Sequence, residues 1–159
     1  MDSAVNPYRA EIERVLPRLL AAADRDPLSP TCGLADRLHW SWKLQDYANA
    51  TPQSAVHGLA RMLVARQLPP RSRPEHVVER IDEMVRATAA ITARDGSLVE
   101  AFPNEKSFCV TALVAFDTLC AAHLLEGTVA QSVTARWREI AAPLIDFVCS
   151  NDETHAIIS

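Results

Sequence analysis

Glycine is scarce in this chain, with four residues in 159, and aromatic residues reach only 6%. So few glycines leave little backbone able to cradle a phosphate. No GxGxxG, P-loop or GxSxG pattern occurs, which disfavours nucleotide-dependent chemistry. The four cysteines, Cys32, Cys109, Cys120 and Cys149, form no CxxC pair and no zinc-ribbon spacing, so neither a metal site nor a cofactor is expected. Cys109 and Cys120 on one helix would stand about 16 Å apart, beyond disulfide reach. The cysteines are expected to be reduced core residues.

Strand-like alternation of period two is missing throughout. No basic segment followed by an apolar one opens the chain, so no secretory signal is expected and the default compartment is the cytoplasm. The longest apolar stretch, 108–125, is broken by Thr111, Asp117, Thr118 and His123. That pattern predicts a buried helix and argues against a membrane span. Basic residues number 16 against 20 acidic ones, for a net charge of -4. Only Arg66, Arg71 and Arg73 cluster, which disfavours nucleic acid as a partner.

What is present is a chain 48% apolar and 23% charged, the composition of a globular protein. One domain over 1–159 is expected, built from five or six helices. Asn6-Pro7 opens a helix over about 7–25, with a kink at Pro17. A short, partly buried helix is expected within 34–47, and Thr51-Pro52 opens another that runs to about 68. Ser72-x-x-Glu75 has capping-box spacing, and Val77, Val78, Ile81, Met84, Val85, Thr88 and Ile91 make the most legible apolar stripe in the chain. The helix over about 105–125 is apolar nearly all round, so others should pack about it. The last long helix, 128–150, turns Val129, Val133, Trp137, Ile140, Leu144 and Val148 inward. Short connections make neighbouring helices antiparallel hairpins. The chain closes on the apolar Ala156-Ile157-Ile158, which suggests a missing C-terminal domain or packing against a partner chain, including a homo-oligomer.

Three polar islands interrupt these helices. In the first, 32–53, Asp36, His39 and Lys43 would share a helical face, and Trp40 and Trp42 offer flat apolar platforms. The plainer alternative makes the tryptophans core and Asp36, with Arg37, a cap. In the second, 95–105, Asn104 reads as an N-cap and Glu105 as a first-turn acid. Glu100 beside Phe102 is the better functional candidate, because an apolar neighbour favours the protonated carboxyl of a general acid. In the third, 151–155, Asp152 and His155 could form a proton-transfer pair, or Asn151 or Asp152 could cap a further helix.

Taken in order, Cys32-Gly-x-x-Asp-Arg-x-x-Trp-x-Trp-Lys43 with Asp46, Asn49 and Gln53, then Asp95-Gly-Ser-x-x-Glu-x-x-Pro-Asn-Glu-x-Ser107, then Asn151-Asp-Glu-x-His155, resemble the N-terminal helical region of heparinase II/III-like proteins of bacterial polysaccharide gene clusters. The resemblance implies a partial (α/α) toroid whose turns bind an extended sugar chain, so an acidic oligosaccharide or polysaccharide is the implied partner. Lyase action on a uronate needs its carboxylate neutralised, a base at C5 and an acid at the leaving oxygen. By residue type, Asn104 or Arg37 suits the first role, His39 or His155 the second, and Tyr47 or Glu100 the third. Asp36, Trp40, Trp42, Asp46, Phe102 and Glu105 are expected to line the substrate. Two other readings compete: a non-catalytic helical protein-interaction module, and a terpenoid-cyclase-like toroid, for which no aspartate-rich motif is present.

Overall fold

A computed structural model describes residues 7–69 and 72–153, and these are helical with no strand among them. Six α-helices follow in chain order: α1 Pro7–Ala22, α2 Arg37–Trp40, α3 Ala55–Val64, α4 Pro74–Ile91, α5 Phe108–Leu124 and α6 Gln131–Ser150. A 3-10 turn, Thr51–Ser54, leads into α3. None of the described helices is long and apolar enough to cross a membrane.

The α4 stripe behaves as its spacing demands, since Val77, Ile81, Met84, Val85 and Thr88 are all buried. They form one core with Leu16 of α1, Leu59 and Ala60 of α3, Ala121 and Ala122 of α5, and Trp137 of α6. Trp137 is fully buried and its indole N–H donates to Asp82 Oδ1 at 2.8 Å, where Arg136 also donates at 2.7 Å. One α4 carboxylate thereby satisfies the polar edge of a core aromatic on α6, as burial of an indole requires. A second cluster joins Ala50, Leu98, Val110, Val114 and Leu144. The short turn 125–130 makes α5 and α6 an antiparallel hairpin: Val110 and Val114 lie with Leu144, while Ala121 and Leu125 lie with Trp137. By contrast, α3 runs alongside α5 in the same direction, from Ala50 near Val110 through His57 at Asp117 to Leu59 and Ala60 near Ala121.

Several element boundaries differ from the sequence pattern, each for a local reason. The first helix ends at Ala22, because the Asp24 N–H and carbonyl pair instead with Leu34 and Gly33. No capping box forms at Ser72 and Glu75; Arg73 is the N-cap and makes no side-chain cap bond, with Pro74 at the first helical position, where its fixed φ starts the helix by itself. The helix expected to run to 68 stops at Val64, and Arg66 beyond it has φ 53°. The buried helix starts at Phe108, and its N-cap is Ser107, whose hydroxyl accepts from the Val110 N–H at 3.2 Å. Asn104 and Glu105 therefore precede the helix and do not begin it. Asn151 opens no further helix within the described residues; it closes α6, its side chain donating to the Phe147 carbonyl at 2.8 Å.

The largest departure concerns α5. Its sequence is apolar on every side, yet one face is left uncovered: Leu113 is 41% and Phe116 60% exposed, on the same face as the exposed Cys109. Nor are the cysteines uniformly core residues, for Cys109 and Cys149 are exposed while Cys32 and Cys120 are half-buried, and all four are free thiols.

Candidate functional site

The first island is organised by Asp36, which is buried and whose carboxylate takes three partners. Oδ1 accepts from the Leu38 N–H at 3.0 Å, capping α2, while Oδ2 accepts from the Asn49 N–H at 2.8 Å and from the Gln45 side-chain amide. One carboxylate thus closes the 36–49 loop on itself. The helix here is a single turn, Arg37–Trp40, and Lys43 takes φ 53°. Asp36, His39 and Lys43 consequently do not share a helical face. The tight turn instead brings His39 and Lys43 to one shallow depression with Leu44, Gln45 and Asp46. His39 Nδ1 donates to the Gln45 carbonyl at 3.2 Å, which orients the ring.

The two tryptophans separate in role. Trp40 is half-buried and donates from Nε1 to the Ala22 carbonyl at 2.9 Å, tying the loop to the end of α1. Trp42 is 56% exposed, with the Arg37 guanidinium 5.4 Å from its ring centroid, a cation–π stack. Gln53 holds the island from beneath. Fully buried, it accepts from the Ala35 N–H at 2.8 Å and donates to the carbonyls of Met84 at 2.8 Å and Gly33 at 3.2 Å.

The second island is a closed loop, bridged by the Ser107 N–H donating to the Leu98 carbonyl at 3.0 Å. At its base Asp95 accepts from the Ser97 N–H and hydroxyl and pairs with Lys106 at 2.5 Å. The Lys106 ammonium and the Ser97 hydroxyl hold the Asp95 carboxyl down to about 2. At its tip Glu105 turns back, and one carboxylate oxygen accepts the N–H groups of Ala101 at 2.7 Å, Glu100 at 3.2 Å and Phe102 at 3.3 Å. Asn104 enables that reversal by taking φ 60°, a conformation that Asn tolerates better than most residues. Glu100 accepts from the Ser107 hydroxyl at 2.9 Å. Phe102 is 69% exposed, so its ring stands out toward solvent and does not dry the Glu100 carboxylate.

These two islands meet. The Tyr47 hydroxyl donates to the Ala101 carbonyl at 2.5 Å, and the Ala50 N–H donates to the Val99 carbonyl at 2.9 Å. Glu153, from the third island, lines an open cleft of about 340 Å³ with Glu100, Glu105, Ser107 and Cys109. Asp152 is exposed, and His155 lies outside the described residues. Parts of all three islands therefore reach the same end of the helices, at the start of α5 and the close of α6. Among the described residues no group of His, Cys, Asp and Glu is arranged to hold a metal ion.

Asp95 makes a measurable contribution. Its native carboxyl lies below the ordinary unfolded value of about 3.9, so its stabilisation is complete above that value and disappears as pH falls toward 2. Asp95→Asn should lower stability at pH 7 by about 1 kcal/mol, a figure discounted for the 37% exposure of its side chain. Urea midpoints of wild type and variant should converge between pH 4 and 2; a gap that persists at pH 2 would refute the assignment.

A pairing that the sequence did not bring forward joins α3 to α5: His57 Nδ1 lies 2.9 Å from Asp117 Oδ1, and the His57 ring meets Phe116 edge-on at 5.9 Å. The available signal was a lone aspartate within an apolar helix, which has to be paired when buried. A groove lined by Arg25, Arg73, His76 and Arg80 was equally hidden, since its residues come from two distant segments. No known protein family, curated protein or solved structure matches this chain.

Proposed function

We propose that the protein is a carbohydrate-handling helical domain that binds a uronate-containing oligosaccharide at the end where its polar loops meet. The observation that carries this reading is the junction of the two islands through Tyr47–Ala101 and Ala50–Val99. It ties the loop that carries Arg37, Trp42 and Lys43 to the loop that carries Glu100, Phe102 and Glu105. Trp42, with Arg37 stacked on it and Lys43 beside it, suits a sugar ring that carries a carboxylate: the indole offers an apolar platform and the cations offset the charge. Asp46, Glu100 and Glu105 suit hydroxyl donors. The antiparallel α5 and α6 hairpin is the kind of unit from which an (α/α) toroid is assembled, and that arrangement belongs to the same proposal.

Binding takes precedence over lyase catalysis in this reading. The Tyr47 hydroxyl is committed to a carbonyl and one Glu105 carboxylate oxygen to three amides, so both groups brace the surface. An NMR titration with oligogalacturonate and oligoglucuronate should shift the Trp42 indole and the 99–102 amides, and Trp42→Ala should weaken binding about tenfold, in keeping with the loss of one aromatic contact of about 1.4 kcal/mol. No perturbation by either oligomer would sink the proposal. A neutral oligohexose that binds equally well would remove the role assigned to Arg37 and Lys43. A second reading, a helical protein-interaction module, is favoured by the uncovered apolar face of α5.

A further inference from the structure

The uncovered face of α5 has a symmetric pattern. Cys109, Leu113, Phe116 and Cys120 fall at spacings of four, three and four, which places them within one narrow stripe of the helix surface. Read backwards, the order of spacings is the same. Leu113 and Phe116 are exposed, Cys109 is exposed and Cys120 is half-buried. The stripe carries no free charge at its centre, because the adjacent Asp117 is buried and bonded to His57.

We infer that this face seats a second copy of the same chain, with the two α5 helices antiparallel across a twofold axis between Leu113 and Phe116. In an isologous contact residue i meets j while j meets i. An axis at the middle of the stripe sets Leu113 opposite the partner's Phe116 and Cys109 level with the partner's Cys120. The charges at the two ends agree with this register. The Cys109 end borders the acidic cleft of Glu100, Glu105 and Glu153. At the Cys120 end lies the exposed Arg61, one turn beyond His57 on α3, which runs in the same direction as α5; Glu126 at that end is already paired with Arg138 at 3.2 Å and lies 3.9 Å from His123, so the end is basic on balance. The antiparallel seat places each acidic cleft toward the other copy's Arg61, whereas a parallel seat would set acid against acid. The stripe itself lies outside the sugar-binding surface, and the two share only a margin at Glu100 and Glu105.

A contact built on one helix and its margin is small, so association should be weak and best measured at about 100 μM protein. Sedimentation velocity of the full chain at that concentration should show a dimer. Phe116→Glu, at an exposed position, should raise the dissociation constant at least about tenfold by burying an unpaired charge, while helical circular dichroism stays unchanged. Register is tested in a Cys32→Ser, Cys149→Ser background with diamide as oxidant. Further Cys109→Ala and Cys120→Ala variants should each fail to crosslink alone, since like cysteines in the antiparallel pair stand about 16 Å apart along the axis. Mixed together they should crosslink. A clean monomer, a dimer indifferent to Phe116→Glu, or crosslinking within either single variant would overturn the inference.

Discussion

Replacing Gly96 with alanine is expected to lower the melting temperature by about 10 °C, an estimate built on a loss of roughly 3–4 kcal/mol in a domain of this size. Gly96 holds φ 87°, and a Cβ there would stand 2.1 Å from the Pro143 carbonyl oxygen and 3.2 Å from the Phe147 Cβ. The backbone conformation alone costs an L-residue about 1–2 kcal/mol. The rest comes from the α6 backbone, which is wedged outward and cannot swing aside as the tip of a side chain would. Because Gly96 lies near the start of the second island, the displaced loop should also lose the Ala50–Val99 bond that joins it to the first. Thermal melting with amide exchange at Ala50 reads both effects. A variant within 1 kcal/mol of wild type would show that α6 yields freely at Pro143.

Gln53→Leu should cost about 3–5 kcal/mol even though the volume is nearly kept. Leucine fits the space but leaves the Ala35 N–H and the Gly33 carbonyl without their partner in a buried setting, each at a cost of about 1–3 kcal/mol, while the Met84 carbonyl keeps the Thr88 hydroxyl at 3.0 Å. The damage should be directional. Ala35 adjoins Asp36, on which the 36–49 loop closes, so oligosaccharide binding at Trp42 should weaken while the α5 and α6 hairpin remains intact. Urea unfolding gives the stability change, and exchange rates at Ala35 and Asn49 against those at Val114 show whether it is local. Uniform loss of protection would mean that Gln53 holds the whole core and not the loop.

The helical architecture was legible where a single periodicity carried it. The α4 stripe and the inward Trp137 and Leu144 of α6 needed only spacing, because a face apolar every three or four residues has one way to escape water. Asp36 as a cap was legible for a similarly local reason, its carboxylate being within reach of the Leu38 amide. The start of α5 was not. Asn104 and Ser107 are both competent caps, and the choice of Ser107 follows from the Leu98–Ser107 bridge and from Glu105 folding back onto its own loop.

The candidate site was legible as a set of residues and not as a surface. Spacing marked Trp40 and Trp42 equally, but only packing against α1 commits Trp40 to the Ala22 carbonyl and leaves Trp42 outside. Nothing local connects Tyr47 to Ala101, 54 residues away. The His57–Asp117 pair across 60 residues is of the same kind. By itself the sequence determined that the chain is helical, where most helices run and which stripes seek a core, because those properties depend on neighbours within a few residues. The tertiary structure alone decided that the polar islands meet at one end and that an all-apolar helix keeps one side bare. Both outcomes depend on which distant segments come together, and that depends on the summed packing of every helix.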